Sequence, residues 1–270
     1  MRIATWNVNS VRIRIHLLQQ LVAVENPDVI CLQETKVPDE LFPLDAIQAL
    51  GFTHIAKHGM KGYNGVAILS RRPFLDSGTR DCAGKTDCRH IHARLPLAGI
   101  PDGIELHNLY VPAGGDIPDP ALNEKFDHKL RFVDELAAWF PSARRADQPM
   151  VLVGDLNIAP LETDVWSHKQ LLDVVSHTPI EVEKLTRVQT AMPWIDTTRH
   201  FIPEPERLYS WWSYRARDWA ESDRGRRLDH IWVTPPLRPF MGAARIRREA
   251  RGWEKASDHV PVILDLTERP

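Results

Sequence analysis

The stretch "ASDHVPVILDL", residues 256–266, joins a polar opening to an apolar strand. From Val260 to Leu266 the apolar residues alternate at period two, as side chains on one face of a β-strand do. Ser257, Asp258 and His259 precede this strand, and an acid or an imidazole is costly to bury unless it is paired or used. The stretch therefore predicts either a simple turn or one part of a site whose other residues lie far away in sequence.

Polar side chains stand at the ends of other predicted strands as well. The fragments are "NVNS" (7–10), "LQETK" (32–36), "GDLNIAP" (154–160) and "RRLDH" (226–230). Asn and Asp are common in turns, so each fragment alone predicts little. Five strand ends that each carry an acid, an amide or an imidazole indicate instead a shared functional rim on a rigid scaffold.

Strands and amphipathic helices alternate along the chain. Helical periodicity predicts helices over 11–22 and 122–140. Apolar runs predict strands over 3–8, 29–32, 65–70, 104–111, 150–153, 228–233 and 260–266. This order favours packed sheets with helices outside them. A chain of 270 residues suits one large α/β domain or two small ones.

Composition and cysteine content favour a cytoplasmic protein without membrane contact. The chain is 43% hydrophobic and 26% charged, and its N-terminus lacks a secretory pattern. No run approaches the ~18 apolar residues of a membrane span. Three cysteines, an odd number in a chain of this length, argue against a disulfide scaffold. Cys82 and Cys88 lie six residues apart, which is not the spacing of a Cys-x-x-Cys zinc site.

Charge is unevenly distributed along the sequence. Residues 199–255 hold 13 Lys and Arg against 8 Asp and Glu, a net charge of +5, whereas the whole chain carries −2 and its remainder therefore −7. A basic segment in an acidic protein can mark a face for an anionic polymer, although a solvated surface would have the same composition. Charge alone leaves both interpretations open.

Nine motifs together resemble the exonuclease III family of abasic-site endonucleases. They are "WNVNSVRIR", "LQETKV", "KGYNGVAILS", "NLYVP", "VLVGDLNIAP", "WIDTTR", "YSWWSYR", "GRRLDHI" and "EKASDHVPV", and they span residues 6–262. Single motifs are shared with a wider superfamily of metal-dependent phosphodiesterases and phosphatases, whereas "KGYNGVAILS" and "YSWWSYR" indicate the DNA-repair branch. The resemblance implies a four-layer α/β sandwich with two packed central sheets, formed by a single catalytic domain over residues 1–270.

The resemblance also implies an activity. Family members hydrolyse phosphodiesters with Mg²⁺, so we expect a DNA-repair enzyme that cuts 5′ of abasic sites, removes nucleotides as a 3′–5′ exodeoxyribonuclease and cleans blocked 3′ ends. Its partner would be double-stranded DNA with abasic sites or 3′ ends, and the chain would act as a monomer. Mn²⁺ is the alternative metal ion.

Three residues match the metal side of the family site. Glu34 corresponds to the main metal ligand, and Asn7 and Asp258 correspond to residues beside the metal. Mg²⁺ prefers one or two carboxylates and takes its other ligands from water and phosphate. Ser257, Asp258 and His259 cannot form a local nucleophilic triad, because neighbouring side chains of a strand point to opposite faces.

Five residues match the catalytic groups of the family. Asp155 and Asn157 lie two apart, so in an extended segment they face the same way. The resemblance assigns water activation to Asp155 and phosphate or aspartate contact to Asn157. It assigns phosphate binding to His259, with Asp229 as the carboxylate that favours the charged imidazole. Tyr110 corresponds to a tyrosine that contacts the scissile phosphate.

Substrate contacts are predicted for Trp211, Trp212, Leu228 and Arg215. Adjacent tryptophans followed by arginine combine a stacking surface with phosphate contacts. In the family, the aromatic pair walls the pocket for the base-free deoxyribose, and Leu228 would lie on the same wall. Core packing is the competing interpretation for the two tryptophans, since the chain has nine tryptophans to accommodate.

Three positions depart from the family pattern. Arg226 stands where Leu or Trp is usual, which would make one wall of the pocket polar. Ala113 lacks the hydrogen-bond donor that often follows "YVP", and Asp116 lies where some relatives place a basic or amide side chain. These departures leave the catalytic residues in place, but they put the grip on duplex DNA in doubt.

Two alternative functions remain. One is an enzyme of the same fold that acts on small or lipid phosphates, for which the tryptophan pair and the basic segment would have no use. The other is a DNA-binding module with an inactive site, against which the presence of Glu34, Asp155, Asn157, Asp229 and His259 argues.

Overall fold

In a computed structural model that describes residues 1–268, the chain forms 14 strands. In chain order these are β1 (Arg2–Asn7), β2 (Val29–Gln33), β3 (His54–His58), β4 (Val66–Ser70), β5 (Asp76–Thr79), β6 (His90–Leu97), β7 (Ile100–Tyr110), β8 (Met150–Asp155), β9 (Ile195–Asp196), β10 (Trp211–Trp212), β11 (Gly225–Arg226), β12 (Asp229–Val233), β13 (Met241–Ile246) and β14 (Val262–Leu266).

Seven α-helices accompany the strands within the described residues. They are α1 (Ile15–Glu25), α2 (Leu44–Gln48), α3 (Glu124–Ala143), α4 (His168–Leu171), α5 (Pro179–Ala191), α6 (Thr197–Phe201) and α7 (Trp219–Ser222). The long helix α3 is capped by Asn123, whose side chain accepts the backbone N–H of Lys125. Such a cap satisfies a donor that the first helical turn leaves free. None of the helices within residues 1–268 is long and apolar enough to cross a membrane.

The larger strands build two six-stranded sheets. Their orders are β13-β14-β1-β2-β4-β3 and β5-β6-β7-β8-β12-β9, and β10 pairs with β11 in a separate ribbon. In the first sheet β1 runs parallel to β2 and antiparallel to β14. In the second, β8 runs parallel to β7 and antiparallel to β12. Both sheets are therefore mixed.

The two sheets pack face to face with helices on their outer sides. Ile3 and Ile68 of the first sheet share one buried apolar cluster with Val151 and Ile231 of the second. The outer face of the first sheet packs with α1 in a second cluster, and the outer face of the second sheet packs with α3 and α5 in a third. Strands covered on both faces read as apolar runs, which explains the buried segments of the sequence. The predicted four-layer α/β sandwich is confirmed.

The structure differs from the sequence prediction both in the number of elements and at element boundaries. Seven strands and five helices were not predicted, namely β3, β5, β6, β9, β10, β11, β13, α2, α4, α5, α6 and α7. The first helix begins at Ile15 instead of residue 11, because Val11 is buried in the turn before it. The predicted strand over 104–111 begins earlier, at Ile100, because β6 and β7 pair as a hairpin. The sequence prediction missed β6, although Ile91, Ala93 and Leu95 alternate inward, because histidines and a proline interrupt this apolar pattern.

Candidate active site

Polar strand ends of both sheets meet at one edge of the molecule. Asn7 ends β1 and Glu34 follows β2, while Asp155 ends β8 and Asp229 begins β12. Asp155 is paired in register with Asp229 on one side and with Tyr110 of β7 on the other. Strand pairing therefore brings together residues that lie far apart in the sequence.

Glu34 is a charged carboxylate held by three side chains. Asn7 Nδ2 donates to its Oε1 at 2.9 Å, and the Tyr110 hydroxyl donates to the same oxygen at 2.8 Å. Lys36 Nζ lies 2.7 Å from Oε2. Burial would raise the pKa of Glu34, but Lys36 and Asn7 outweigh burial and hold it below its usual value. Burial and the nearby carboxylates of Glu34 and Asp155 raise the pKa of Tyr110 well above normal, so its hydroxyl keeps the proton that it donates.

Asp155 is a buried carboxylate whose pKa lies near neutrality. Asn7 Nδ2 donates to its Oδ2 at 2.8 Å, and the backbone N–H of Asn157 donates to Oδ1 at 3.0 Å. Burial raises its pKa, the imidazole of His259 opposes this, and the negative charge of Asp229 raises it again, to about 7. This carboxylate can therefore accept or release a proton at physiological pH.

His259 and Asp229 form a buried ion pair. His259 Nδ1 lies 2.8 Å from Asp229 Oδ2, which also accepts the Ser210 hydroxyl at 2.7 Å. His259 Nε2 lies 3.6 Å from Asp155 Oδ2. Burial alone would lower the pKa of His259, but Asp229 and Asp155 raise it to about 10. The ring is therefore an imidazolium at neutral pH and offers two N–H donors.

The polar opening of the last strand is a turn in front of that strand. β14 begins at Val262, and His259 forms an isolated bridge with Trp211. The Ser257 hydroxyl donates to the backbone oxygen of Asn7 at 2.7 Å and so anchors the turn to β1. The Ser257 hydroxyl also accepts the backbone N–H of His259 at 3.2 Å, but the imidazole of His259 contacts Asp229 instead of that hydroxyl, which agrees with the expectation that the three residues form no local triad.

The residues predicted beside a metal are not all drawn together. Asn7 contacts Glu34 directly, but the Asp258 carboxylate accepts from Asn9 Nδ2 at 3.2 Å and from Trp211 Nε1 at 3.0 Å. Within residues 1–268, the acidic and imidazole atoms that lie within 4.8 Å of one another, and so could hold one ion, belong to Asp155, Asp229 and His259. None of the three residues predicted at the metal belongs to this acidic cluster.

Glu34 nevertheless has the surroundings of a cation site. The Lys36 ammonium lies 2.7 Å from Glu34 Oε2 and 2.7 Å from Asn9 Oδ1. A positive charge is thus already held between a carboxylate oxygen and an amide oxygen. Oxygen donors of this kind are the ligands that Mg²⁺ prefers. The donor chemistry around Glu34 therefore fits a divalent metal ion, with the ammonium as its stand-in.

A cavity of about 600 Å³ opens beside these residues, and we call it the substrate pocket. Glu34 and His259 line this cavity, and Asn7, Asp155 and Asp229 lie behind them; we call the five residues together the catalytic floor. The loop wall of the pocket comprises Val175, Ser176, Trp211, Arg226 and Leu228. The pocket is thus bounded by charged groups from the sheets and by apolar and basic groups from loops and the small ribbon.

The predicted substrate residues are placed differently from one another. Trp211 and Leu228 line the pocket, and the exposed Arg215 lies at its rim. Trp212 does not share this position, because neighbouring side chains of a strand point to opposite faces. It is 1% exposed, and its ring packs against that of Trp219 with centroids 5.3 Å apart. The prediction that both tryptophans wall the pocket is therefore corrected: Trp212 belongs to the core.

Two departures from the family pattern also reach the substrate pocket. Ala113 and Asp116 lie on the loop after β7, and both are exposed where they line the cavity. Asp116 thus presents a carboxylate at the opening of the pocket. Lys129 Nζ donates to the backbone oxygen of Ala113 at 3.2 Å, so a hydrogen bond from helix α3 fixes this loop.

Comparison with known proteins identifies the architecture. The family model described as "Endonuclease/Exonuclease/phosphatase family" matches residues 4–259. This chain belongs to that family. Exodeoxyribonuclease III of Haemophilus influenzae is 29% identical, over 98% of this chain and 100% of its own length.

Two solved structures support the same assignment. An AP endonuclease from Archaeoglobus fulgidus superimposes with a TM-score of 0.89 at 32% identity, over 98% of this chain and 99% of its own. A 3′ phosphatase from Neisseria bound to product DNA hairpin gives 0.87 at 29% identity, over 98% and 99%. The sequence-based assignment to exonuclease III-type enzymes is confirmed by these relatives, which by name are an exodeoxyribonuclease III, an AP endonuclease and a 3′ phosphatase. Metal dependence is general for the endonuclease/exonuclease/phosphatase family.

One buried ion pair beneath the pocket was not predicted from the sequence. Lys129 of α3 and Glu181 of α5 are both 0% exposed, with Nζ 2.5 Å from Oε1. Lys129 Nζ also donates to the backbone oxygen of Asn157 at 2.8 Å, and Glu181 accepts the backbone N–H of Ser176. The pair thus ties the catalytic floor to the loop wall. The sequence contained an indication of this pair: Lys129 lies three residues after Phe126 and so falls on the apolar, buried face of the helix.

Proposed function

We propose that this chain is a Mg²⁺-dependent DNA phosphodiesterase. It cleaves 5′ of abasic sites, removes nucleotides from 3′ ends and clears 3′-blocking groups. The observation that carries the proposal is the catalytic floor, where His259 and the cation-binding carboxylate of Glu34 line one pocket and the buried carboxylate of Asp155 lies directly behind them, 3.6 Å from His259 Nε2. Phosphodiester hydrolysis needs these three functions at once.

Asp155 is the group that orients and deprotonates the attacking water. Its pKa of about 7 makes it a base that is charged in a large fraction of molecules at neutral pH. Asn7 Nδ2 and the Asn157 backbone N–H fix the two carboxylate oxygens. A carboxylate with fixed oxygens can orient the attacking water toward the phosphorus atom. Such orientation of the reactants lowers the activation free energy of hydrolysis.

His259 is the group that binds the phosphoryl oxygen. Its Nδ1–H is taken up by Asp229, so Nε2–H remains to donate to an oxygen on which negative charge builds. The water oxygen bonds to phosphorus, the water proton passes to Asp155, and the bond from phosphorus to O3′ breaks. O3′ takes up a proton from solvent water. The products are a 3′-hydroxyl end and, at an internal abasic site, a 5′-phosphate end on the downstream strand, or, at a 3′ terminus, a released phosphate ester or phosphate.

Glu34 would hold the metal ion, with Asn7 fixing one of its oxygens and Lys36 and Asn9 beside it. The chemistry that bound Mg²⁺ supplies in such a site is neutralisation of phosphoryl and leaving-group charge. Mn²⁺ has similar ligand preferences and is the alternative ion. Tyr110 contributes by keeping its proton and donating to Glu34, which fixes the carboxylate toward the pocket.

The remaining parts of the proposal concern the whole protein. We propose one catalytic domain over residues 1–270, acting as a monomer on double-stranded DNA in the cytoplasm. The three cysteines are free and buried, which is compatible with a reducing compartment.

The test is a turnover assay with purified protein on three substrates: an abasic-site duplex, a 3′-recessed duplex and a lipid phosphodiester. Each is incubated with Mg²⁺, with Mn²⁺ and with chelator, and Asp155→Asn serves as the matched inactive control. We expect metal-dependent cleavage of both DNA substrates and none of the lipid. Faster turnover of the lipid would favour the small-phosphate alternative, and tight DNA binding without turnover would favour an inactive binding module.

A further inference from the structure

Two adjacent arginines on β11 and just after it have opposite environments. Arg227 is 1% exposed, and its guanidinium makes two hydrogen bonds of 2.8 Å to Asp164 and one of 2.7 Å to Asp196. Arg226 points to the other side of the ribbon and lines the substrate pocket. One arginine is therefore neutralised inside the protein, and its neighbour faces the space where substrate would lie.

Arg226 is fixed without a salt bridge of its own among residues 1–268, because the nearby buried carboxylate of Glu181 is paired with Lys129. Arg226 Nη1 donates to the backbone oxygen of Val175 at 2.9 Å and to the Ser176 hydroxyl at 2.8 Å. Its guanidinium carbon lies 5.2 Å from the centroid of the Trp211 ring. Nε is buried and has no hydrogen-bond partner among residues 1–268, and within that range no carboxylate forms a salt bridge with this side chain.

A half-buried guanidinium that forms no salt bridge lowers the stability of the folded protein. Desolvating the charge is costly, and hydrogen bonds to neutral oxygens return only part of that cost. Arginine stays charged in proteins, so the charge cannot be relieved by loss of a proton. An anionic group in the pocket would complete the site, and planar carboxylates and phosphates are the ligands that arginine binds best.

We propose that Arg226 makes the loop wall selective for small anionic groups on a 3′-terminal phosphate, over the neutral base-free sugar of an internal abasic site. The fitting ligand class is a terminal phosphate that bears a carboxylate, as in a 3′-phosphoglycolate end. With the phosphate on the catalytic floor, the carboxylate extends toward Trp211 and Arg226. This inference rests on the proposed function, because it refines which DNA ends that same site prefers.

The reaction on such an end is the hydrolysis already described. The water oxygen bonds to phosphorus, the bond to O3′ breaks, and O3′ takes up a proton. The products are a 3′-hydroxyl end and free phosphoglycolate, whose carboxylate remains unchanged throughout. Arg226 takes no part in proton transfer, so it is a specificity-determining residue.

The experiment measures kcat/KM with Mg²⁺ on three duplexes of one sequence. They carry a 3′-phosphoglycolate, a 3′-phosphate or an internal abasic-site analogue. The proteins are wild type, Arg226→Leu, Arg226→Lys and Arg187→Leu, the last being a surface arginine of α5 outside the pocket. Loss of a charge-assisted contact corresponds to a roughly 10- to 100-fold decrease.

We expect Arg226→Leu to lose that factor on phosphoglycolate and to keep or gain activity on the abasic analogue. Arg226→Lys should lie between, because it keeps the charge without the planar donor geometry, and Arg187→Leu should match wild type on all three. Equal losses on all three substrates, or an unchanged ratio in Arg226→Leu, would overturn the selectivity. If wild type hydrolysed none of the duplexes, the proposed function itself would fail, and this inference with it.

Discussion

The catalytic floor and the loop wall border the same pocket but are built by different means. The floor consists of strand ends, and each of its carboxylates has donors at fixed distances, such as Asn7 to Glu34 and Ser210 to Asp229. The wall consists of a two-stranded ribbon and the loop before α5. It combines an indole, an aliphatic side chain and the unpaired guanidinium of Arg226.

This difference separates chemistry from substrate choice. A floor residue that shifted would lose register with strands of a buried core, because Asp155, Asp229 and Tyr110 are neighbours in one sheet. Wall residues lie in loops and in a short ribbon, which form fewer interstrand hydrogen bonds than the central sheets. Substitutions in the wall therefore leave the fold unchanged more readily. The departures from the family pattern, at Ala113, Asp116 and Arg226, accordingly lie in loops or in the ribbon.

The largest expected effect tests the floor at its cation site. Glu34→Ala removes the carboxylate that would hold the metal, and charge stabilisation by a metal is worth several kcal/mol. We expect kcat/KM on abasic duplex to fall by about three to four orders of magnitude and to lose its response to Mg²⁺. Circular dichroism and thermal unfolding should remain close to wild type. Near-normal Mg²⁺-dependent activity would remove Glu34 from the metal site.

The second effect tests the link between floor and wall. Lys129→Met leaves Glu181 buried and unpaired, which costs roughly 3–5 kcal/mol of unfolding free energy. Adding Glu181→Gln should recover part of that loss, since it removes the uncompensated charge. Lys125→Met, an exposed lysine of the same helix, is the matched control and should change stability by less than about 0.5 kcal/mol. The measurement is urea unfolding of wild type, Lys129→Met, the double variant with Glu181→Gln, and Lys125→Met. Equal unfolding free energies for Lys129→Met and Lys125→Met would contradict the prediction.

How well the sequence predicted each region follows from how each is built. Packed sheets with outer helices and a polar rim were accessible because buried strands give apolar runs that end in polar residues, whereas the four-layer sandwich and the roles of the floor residues came from the resemblance of short motifs to a known family. Asp155 and His259 could be proposed from short motifs for that reason. The orientation of Asp258 could not, because its partner Trp211 lies 47 residues away on the ribbon.

The wall was less accessible from sequence. "YSWW" does not reveal which tryptophan faces the pocket, since that depends on how β10 pairs with β11. The partners of Arg226 lie about 50 residues upstream, in a loop without a periodic pattern. The polar wall was anticipated from Arg226 itself, but only the folded chain shows that the nearby Glu181 is paired with Lys129 and that Arg226 has no salt bridge of its own within residues 1–268.

The third effect concerns the ion pair of the floor. Asp229→Asn keeps the shape of the side chain and removes the charge that holds His259 as imidazolium. Loss of a charge-assisted hydrogen bond costs roughly 1.5–3 kcal/mol, so hydrolysis should fall about 10- to 100-fold. His259→Asn should be at least as damaging, and the double variant should lose far less than the product of the two factors. Strict additivity in the rate measurements would mean that the two residues act separately.

The same pair predicts a pH dependence of stability. The pKa of His259 is about 10 in the folded protein and about 6.5 in an unfolded chain, so the folded state binds this proton more tightly. The stabilisation is therefore complete below about pH 6.5 and is lost as pH rises toward 10. In urea unfolding with chelator at pH 8, 9 and 10, the free energy of unfolding of the wild type should decrease as pH rises. The decrease should be smaller for Asp229→Asn. Equal slopes would mean that Asp229 does not set this pKa.

The fourth effect tests the aromatic part of the wall. Trp211→Ala should reduce abasic-site cleavage by a free energy of about 1–3 kcal/mol, the usual contribution of one stacked ring. Removal of phosphate from a plain 3′ end should suffer less, because no sugar then fills the wall. Trp212→Ala is the control for core packing. This substitution should lower the free energy of unfolding. Equal losses on both substrates would mean that Trp211 acts through Asp258, whose carboxylate it contacts.

The smallest effect tests the opening of the pocket. Asp116 is exposed there, and a carboxylate close to the DNA path repels phosphate. Asp116→Arg should tighten binding to an abasic duplex and steepen the dependence of log Kd on log salt by roughly one unit, because each new phosphate contact releases about one counterion. Asp147→Arg, an exposed acid on the loop after α3, gives the same change in net charge away from the pocket. If both variants changed the slope equally, the gain would come from overall charge, whereas a change confined to Asp116→Arg would place this loop against the DNA.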